Sequence, residues 1–262
     1  MKAPVKAVFF DIDGTMYYHG IHDFVSSTQK ALWKLYEQGI KVGVATSRCH
    51  AEMANAPSFF RTFPFSGMVS DGGALVMEQG EIVKAQCLDS AIVEEIVDFA
   101  QTHHKTMRYS TIDGNFFMGE PLQKEKDGSF ALYLNLPQMK PYEHDKILNL
   151  FVYVKEGREC DELLKRINGR LSLVNYRTAI ECNPTDTDKS KGIRALADRW
   201  HLSMDEVMCF GDGKNDVKMI KACGIGVAMG NGCDEVKAAA DFVTKRIEED
   251  GIAYALEKYG LI

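Results

Sequence analysis

One stretch decides the fold: Val5-Lys6-Ala7-Val8-Phe9-Phe10-Asp11-Ile12-Asp13-Gly14-Thr15. Residues 5–10 are almost entirely apolar and rich in β-branched and aromatic side chains, which is typical of a strand buried on both faces of a parallel sheet. Asp11 and Asp13 follow at the carboxyl end of this strand. Ligands of open α/β sheets bind outside the carboxyl ends of the strands, so the two aspartates stand where chemistry is usually done.

The two aspartates allow other interpretations when the stretch is taken alone. Asp and Gly favour turns, so Asp11-Ile12-Asp13-Gly14 also fits a solvated turn after a strand. An EF-hand calcium loop begins in the same way, but Met16 stands where that loop needs its glycine and His22 where it needs its glutamate. Alternate residues of a strand share a face, so close carboxylates repel each other and need a cation, a shared proton or a solvated rim.

The composition indicates a globular chain and argues against one class of binding partner. The 262 residues are enough for one large domain or two modest ones, and the 45% of hydrophobic residues supply a core. A net charge of -6 argues against a nucleic-acid partner that is held by phosphate contacts. It does not exclude a phosphorylated small molecule, because the charge of a site can differ from the global sum.

The cysteine pattern indicates a reducing compartment. Seven cysteines are present, without a Cys-x-x-Cys pair and without a paired histidine spacing for zinc. We interpret them as reduced, mostly buried thiols. Met1 leads directly into the first strand, and the sequence has neither a signal-peptide apolar region nor a long apolar span. We therefore expect a soluble, cytoplasmic protein with no membrane partner.

A βαβ unit follows the first strand. The sequence predicts a helix over residues 29–37 and a second buried strand over residues 40–45. Crossovers of this kind are right-handed and return the chain to the same sheet. We therefore expect Thr46-Ser47-Arg48, at the end of the second strand, on the same sheet edge as Asp11. Thr46 fits a helix N-cap equally well.

The pattern of elements changes at residue 81 and changes back after residue 187. Residues 81–187 mix predicted helices with antiparallel strands, including a hairpin at Asp113-Gly114-Asn115 and a strand over Phe130–Leu136. We therefore predict an α/β fold with a Rossmann-like parallel sheet, in which residues 1–80 and 188–262 form the core domain. Residues 81–187 form an inserted α+β domain.

A third predicted strand, over Val207–Phe210, also ends in polar residues, Gly211-Asp212-Gly213-Lys214-Asn215-Asp216. Three strands of one sheet thus end in clusters rich in oxygen ligands. Hard oxygen ligands select Mg²⁺ over metals that prefer softer ligands. A carboxylate can attack phosphorus to give an aspartyl-phosphate, while a metal and a lysine offset the charge of the transferring group.

These motifs resemble those of a known family. Asp-x-Asp-Gly-Thr, Ala-Thr-x-Arg, a lysine at a helix start and Gly-Asp-Gly-x-Asn-Asp are similar to the motifs of the haloacid-dehalogenase (HAD) superfamily, and most closely to the Cof-type phosphatases. The resemblance spans nearly the whole chain. It implies a Rossmann-like core with a cap domain inserted between the second and third motifs. The size and mixed character of residues 81–187 resemble the type II, subclass B cap (type IIB).

Carried over by position, the resemblance implies a role for each motif residue. The catalytic residues would be the nucleophile Asp11, the general acid and base Asp13, and the phosphoryl-binding Thr46 and Lys189. The phosphate-binding residues would be Thr46, Ser47, Lys189 and Asn215. The Mg²⁺ ligands would be Asp11, Asp13 through its backbone carbonyl, and Asp212, with Asp216 in support.

The lysine of the third motif stays open between two alignments. Lys189-Ser190-Lys191-Gly192-Ile193 matches the family at Lys189, which keeps the apolar helix positions in register, or at Lys191, which precedes a glycine. Either lysine would otherwise be an exposed surface charge. The chain departs from the family at Ser47, which replaces a glycine and would crowd or hydrogen-bond the phosphate. It also has Asp71-Gly72 where relatives often have Asn-Gly.

The resemblance implies a Mg²⁺-dependent phosphatase that hydrolyses small phosphorylated metabolites through an aspartyl-phosphate on Asp11. The same groups fit a phosphomutase or phosphotransferase, in which a sugar hydroxyl accepts the phosphoryl group. A non-catalytic binder of a phosphorylated ligand is the third possibility, and the presence of all the acids argues against it. Sugar phosphates, pyridoxal phosphate and flavin mononucleotide all stay open as substrates.

Overall fold

The structure, a computed structural model, describes residues 3–133 and 136–262. The chain divides into two compact units. The first unit contains the chain up to Ser47, Pro57–Lys84 and Asp188–Ile262, and the second contains Arg48–Ala56 and Ala85–Thr187. The chain therefore passes between the units at four places, whereas a single insertion would need two. The additional excursion is the short segment that follows Ser47.

The described residues form helices and strands along nearly the whole chain. The strands are β1 (Ala7–Phe10), β2 (Tyr17–Tyr18), β3 (Asp23–Phe24), β4 (Lys41–Ala45), β5 (Gly67–Ser70), β6 (Leu75–Glu78), β7 (Glu81–Ala85), β8 (Met107–Ser110), β9 (Asn115–Met118), β10 (Gln138–Met139), β11 (Asn149–Val152), β12 (Ser172–Asn175), β13 (Ile180–Asn183), β14 (Val207–Gly211), β15 (Ile225–Ala228) and β16 (Phe242–Val243). The helices are α1 (Ser26–Glu37), α2 (Ser58–Thr62), α3 (Ser90–Thr102), α4 (Gln123–Tyr133), α5 (Arg158–Ile167), α6 (Lys189–Arg199), α7 (Val217–Ala222), α8 (Asp234–Ala239) and α9 (Gly251–Lys258). Short 3₁₀ helices cover His50–Asn55, Asp71–Gly73, Met204–Glu206, Lys214–Asp216 and Ile247–Glu249.

An eight-stranded sheet organises the first unit, in the order β16-β15-β14-β1-β4-β5-β6-β7. The strands from β16 to β5 are parallel, and β6 is antiparallel to β5. β1 lies in the middle, between β14 and β4, and all four of its residues are buried. The α/β fold class and the central buried strand predicted from the sequence are confirmed. β7, which the sequence pattern assigned to the inserted domain, is the edge strand of this sheet.

Alternate residues of a strand point to opposite faces of the sheet, so the apolar side chains of the central strand need cover on both faces. Ala7 and Phe9 of β1 belong to a buried cluster with Ile193 and Leu196 of α6. Gly192 allows α6 to approach the sheet closely, since a Cβ at this position would lie 2.4 Å from a methyl group of Val69. This approach brings the start of α6, and with it Lys189, towards the edge where the strands end.

The turn Asp71–Gly73, directly after β5, has an unusual backbone. Three successive residues take positive φ angles, of 52° at Asp71, 64° at Gly72 and 107° at Gly73. The amide of Gly72 donates to the carbonyl of Thr46 at 3.1 Å. A Cβ on Gly73 would lie 2.3 Å from the carbonyl oxygen of Asp188. The turn therefore fits tightly against the residues that precede α6, and its last position requires glycine.

A six-stranded sheet organises the second unit, in the order β10-β9-β8-β11-β13-β12. Neighbouring strands are antiparallel except β10 and β9, and the predicted hairpin at Asp113-Gly114-Asn115 joins β8 to β9. Apolar residues of α3, α5 and alternate strand positions form the core of this unit. Polar side chains occupy other strand positions, where Asn149 donates to Glu181 at 3.0 Å and to Asn183 at 2.8 Å.

The short segment Arg48–Ala56 is held in the second unit by a buried ion pair. The carboxylate of Glu52 is fully buried and accepts hydrogen bonds from Arg108 and, at 2.7 Å, from Asn115. The guanidinium of Arg108 also stacks on the ring of Phe151, 4.5 Å from its centroid. Arg108 and Asn115 lie on β8 and β9, so the segment is fastened to the sheet of this unit.

The strand predicted over Phe130–Leu136 is wrong. α4 runs through Tyr133, and Leu134 and Asn135 lie outside the described residues. The run Gln-Lys-Glu-Lys at residues 123–126 has good helix propensity, and the helix that it starts continues into the apolar residues that the pattern assigned to a strand. Among residues 3–133 and 136–262, none of the helices has the length and apolar character needed to span a bilayer.

Candidate active site

The strand register brings the predicted motifs to one sheet edge. Phe10, the last residue of β1, pairs with Phe210 of β14 on one side and with Val44 of β4 on the other. The polar residues that follow each strand are therefore neighbours: Asp11 after β1, Thr46 after β4 and Asp212 after β14. This is the carboxyl edge of a parallel sheet, the usual place for a ligand in such a fold.

Lys189 forms ion pairs at this edge with one aspartate from the first motif and one from the last. Its Nζ donates to Asp11 Oδ1 at 2.7 Å and to Asp216 Oδ1 at 2.7 Å. The ammonium is 1% exposed, which is rare for a lysine and is tolerated only when the charge is paired. Burial alone would lower the pKa of Lys189, but the facing carboxylates of Asp11 and Asp216 raise it above its ordinary value. We conclude that Lys189 stays protonated.

Asp212 lies against the loop that follows Asp11. Its Oδ1 accepts a hydrogen bond from Thr15 Oγ1 at 3.0 Å. Gly14, at a φ of 79°, leaves the space for this carboxylate, since a Cβ on Gly14 would lie 2.3 Å from Asp212 Oδ2. The glycine of the first motif is thus needed both for its backbone conformation and for the close approach of the acid.

Asp216 ties the loop after β14 together. Its Oδ2 accepts from the backbone amides of Asp212 and Gly213, each at 2.9 Å, while its Oδ1 accepts from Lys189. The side chain is 0% exposed. Both carboxylate oxygens of Asp216 therefore accept hydrogen bonds from other groups of the protein. This fits the supporting role that the resemblance implies better than direct ligation of an ion.

The acidic cluster fits a small hard cation. One carboxylate oxygen from each of Asp11, Asp212 and Asp216 lies within 4.8 Å of the corresponding oxygens of the other two. Burial, followed by the negative charge of Asp216, holds the pKa of Asp11 well above its ordinary value. The same two causes, in the same order, raise the pKa of Asp212 to about 7. A divalent cation coordinated by these carboxylates would relieve their mutual repulsion.

The phosphate-binding candidates also lie in the first unit. Thr46 is buried, and its backbone amide donates to the carbonyl of Val69 at 2.8 Å. Asn215 donates from Nδ2 to the hydroxyl of Ser47 at 2.9 Å. Ser47, which replaces the family's glycine, is thus hydrogen-bonded to another candidate phosphate ligand. Lys191, the competing lysine, is exposed on α6 two residues after Lys189.

Asp13 stands slightly apart from the buried acids. Its side chain is 26% exposed, and its Oδ1 lies 3.2 Å from His19 Nε2. This exposure is compatible with the general acid and base role that the resemblance implies for Asp13. The ring of His19 packs edge-on against Tyr17, with centroids 4.9 Å apart.

Sequence reasoning assigned no role to three residues that the structure brings to this site. Thr15 belongs to the first motif, and its hydroxyl supports Asp212. Asn231 follows β15 at the same sheet edge, between two glycines, and it donates to the carbonyl of Gly14 at 2.7 Å. A polar residue at the end of a fourth parallel strand was the available signal for Asn231. The sequence pattern contains no comparable signal for His19.

A parallel sheet whose strand ends gather aspartates and a buried lysine is typical of α/β proteins that bind their ligand at the carboxyl edge. The chain belongs to the haloacid dehalogenase-like hydrolase family, whose sequence profile matches residues 8–256. The resemblance seen in the motifs is thereby confirmed, and the protein is a hydrolase of this family.

Relatives match along the whole chain. A Bacillus subtilis (strain 168) protein named "Putative phosphatase YkrA" is 30% identical, over 98% of this chain and 98% of its own length. The 5-amino-6-(5-phospho-D-ribitylamino)uracil phosphatase YcsE of the same organism is 27% identical, over 98% of this chain and 96% of its own. The structure of the HAD subclass IIB sugar phosphatase BT4131 is similar with a TM-score of 0.88 and 28% identity, over 98% of this chain and 100% of that one.

Proposed function

We propose that this protein is a Mg²⁺-dependent phosphatase that hydrolyses small phosphorylated metabolites through an aspartyl-phosphate on Asp11. The observation that carries the proposal is the buried cluster in which Lys189 joins Asp11 to Asp216, while Asp212 lies within reach of both acids. The names of the relatives support phosphatase chemistry on small substrates.

Asp11 acts as the nucleophile in this proposal. One of its carboxylate oxygens forms a bond to phosphorus while the bond from phosphorus to the ester oxygen breaks. Asp13 donates a proton to the departing oxygen, so the product leaves as an alcohol. Asp13 then takes a proton from water, whose oxygen attacks phosphorus, and the bond to Asp11 breaks to release inorganic phosphate. Both aspartates return to their starting states.

The remaining residues orient the reacting groups. Lys189 holds Asp11 through Oδ1 and balances the charge of the buried acids. Thr46, Ser47 and Asn215 bind the phosphoryl oxygens, with Asn215 and Ser47 already hydrogen-bonded to each other. Mg²⁺ held by Asp11, Asp212 and the backbone carbonyl of Asp13, with Asp216 in support, would supply positive charge that stabilises the transferring phosphoryl group.

The proposal extends to the second unit and to the cellular location. We assign the second unit as the type IIB cap, which its α+β character and the similarity to the subclass IIB sugar phosphatase support. A cytoplasmic location is supported by the seven cysteines, none of which forms a disulfide in the part of the chain that the structure describes.

Phosphate release from a panel of metabolites tests the function. Sugar phosphates, pyridoxal phosphate and flavin mononucleotide are each incubated with the protein in MgCl₂ and again in EDTA. We expect Mg²⁺-dependent release of inorganic phosphate from at least one of them. Asp11→Asn should lower the rate by about 10²-fold or more, because the amide is a poor nucleophile. Asp198→Asn, an exposed aspartate on α6, is the matched control and should keep the wild-type rate.

Three other outcomes lead to different conclusions. Substantial turnover by Asp11→Asn, in the presence of a folded wild-type control, would refute the assignment of the nucleophile. Isomerised sugar phosphate in place of free phosphate would identify a phosphomutase. Mg²⁺-independent binding of a substrate without turnover across the panel would identify a binding protein.

A further inference from the structure

The side chain of Asn231 uses both ends of its amide. Nδ2 donates to the carbonyl oxygen of Gly14 at 2.7 Å, and Oδ1 accepts from the backbone amide of Ile247 at 3.0 Å. Asn231 follows β15, so it links the first motif to the segment that precedes α9. An amide of this length offers a donor and an acceptor at once, whereas aspartate offers only acceptors and leucine offers neither.

The carbonyl that accepts this hydrogen bond from Asn231 belongs to Gly14, and the Gly14–Thr15 peptide lies beside Asp212. The Gly14–Thr15 peptide leads to the Thr15 hydroxyl, which donates to Asp212 Oδ1 at 3.0 Å. The Asp212 carboxylate also occupies the space that a side chain at position 14 would fill. A rotation of this peptide would therefore move both the hydrogen bond and the surface on which Asp212 rests.

The loop of residues 230–233, which contains Asn231, also contacts the backbone of Asp212. The backbone amide of Cys233, two residues after Asn231, donates to the carbonyl of Asp212 at 2.9 Å. A Cβ on Gly232 would lie 3.1 Å from that carbonyl oxygen, so this loop and the Asp212 loop are packed closely. Residues 230–233 thus contact both loops that carry the acids.

We propose that Asn231 is a positioning residue of the metal site, which sets the Asp212 carboxylate for Mg²⁺ through the Gly14–Thr15 peptide. The inference rests on the metal site of the proposed function and adds a residue that no motif assigned. Asn231 acts through Thr15. Partners of metal ligands that act in this way typically change metal affinity by about 10–100-fold when removed.

Mg²⁺ titration of the thermal midpoint tests the proposal without any turnover. Metal-free wild-type protein, Asn231→Leu and Thr15→Val are each titrated with MgCl₂, and the dependence of the midpoint on concentration gives the dissociation constant. Leucine is close in shape to asparagine and adds no charge that would attract the cation. We expect each variant to bind Mg²⁺ about tenfold more weakly than the wild type. Asn175→Leu, an exposed asparagine of the second unit, should bind as the wild type does.

The double variant Asn231→Leu/Thr15→Val distinguishes positioning from general stabilisation. If Asn231 acts through Thr15, the double variant should bind Mg²⁺ no more than about twofold more weakly than the weaker single variant. A residue that merely stabilises the fold would lower the midpoint without changing the Mg²⁺ dissociation constant, and that result would overturn the proposal. If Asn231→Leu does not fold, Asn231→Ser, which is smaller and also neutral, provides the same comparison.

The outcome is separate from that of the phosphatase assay. An unchanged Mg²⁺ dissociation constant in Asn231→Leu, together with loss of turnover in Asp11→Asn, would overturn this inference and leave the proposed function standing. A protein whose Mg²⁺ affinity falls in Asn231→Leu and Thr15→Val but which releases no phosphate would do the reverse. Absence of Mg²⁺ binding in the wild type would overturn the inference directly.

Discussion

Replacing Lys189 by methionine should destabilise the metal-free protein strongly. The ammonium is 1% exposed and lies 2.7 Å from both Asp11 and Asp216, so its removal leaves buried carboxylates without their cation. Removing one partner of a buried ion pair typically costs about 3–5 kcal/mol, much of it from the charge that is left behind. The methionine chain fills the space of the lysine stem, so the loss measures charge rather than a cavity.

The control is Lys191→Met in the same helix. Lys191 is exposed, and a surface substitution of this kind usually changes stability by about 0.5 kcal/mol or less. Urea unfolding in EDTA at pH 8 measures both variants, and the difference between them also decides between the two alignments of the lysine motif. A loss below about 1 kcal/mol in Lys189→Met, or an equal loss in Lys191→Met, would refute the electrostatic reasoning.

The pH dependence of the same variant provides a second check. Without Lys189, the pKa of Asp11 should rise further, since burial and Asp216 already raise it and Lys189 opposes them. A carboxyl whose folded pKa is above its unfolded value costs stability as pH rises through the range between the two. The deficit of Lys189→Met should therefore be smallest near pH 4 and grow towards pH 8. A deficit independent of pH would indicate lost packing.

Three further predictions concern the neighbouring residues. Burial, followed by the charge of Asp216, raises the pKa of Asp212 to about 7, so protons should compete with Mg²⁺ for this carboxylate. The apparent affinity of the protein for Mg²⁺ should therefore fall as the pH drops from 7 to 5, and calorimetric titration measures this change. Gly14→Ala should abolish Mg²⁺-dependent stabilisation in a thermal shift assay, whereas Gly39→Ala, at a similar φ of 75° but with open space around it, should only lower the midpoint slightly. Glu52→Gln should destabilise the second unit by about 3 kcal/mol in urea unfolding, because it leaves the buried charge of Arg108 without its partner; a loss below about 1 kcal/mol would mean that the pair contributes little.

The central sheet and its polar edge could be predicted because both depend on local patterns. An apolar run followed by Asp11 and Asp13 is visible in any window of ten residues, and the same holds for Asp212 after β14. Parallel pairing then makes these distant positions neighbours, since crossover connections allow few other arrangements. The sequence pattern was therefore sufficient for the position of the acids, although it left open whether Lys189 or Lys191 faces them.

What the sequence could not predict depends on contacts between distant residues. The segment Arg48–Ala56 belongs with the second unit because Glu52 pairs with Arg108, and nothing in the local pattern indicates a partner so far along the chain. Asn231 matters because its amide reaches Gly14, and hydrogen bonds of this kind are invisible to periodicity. The misassigned strand at Phe130 had a different cause, since helix propensity and an apolar run gave opposite indications there.

The left-handed turn Asp71–Gly73 limits how this chain can be re-engineered. Because Gly73 leaves no room for a methyl group beside the Asp188 carbonyl, the two positions form one fitted unit across more than a hundred residues of sequence. Recombination with a homologue between these positions would pair a turn from one parent with a helix start from the other. Chimaeras that take Gly73 and Asp188 from a single parent should express and fold. Chimaeras that take the two positions from different parents should fail to fold.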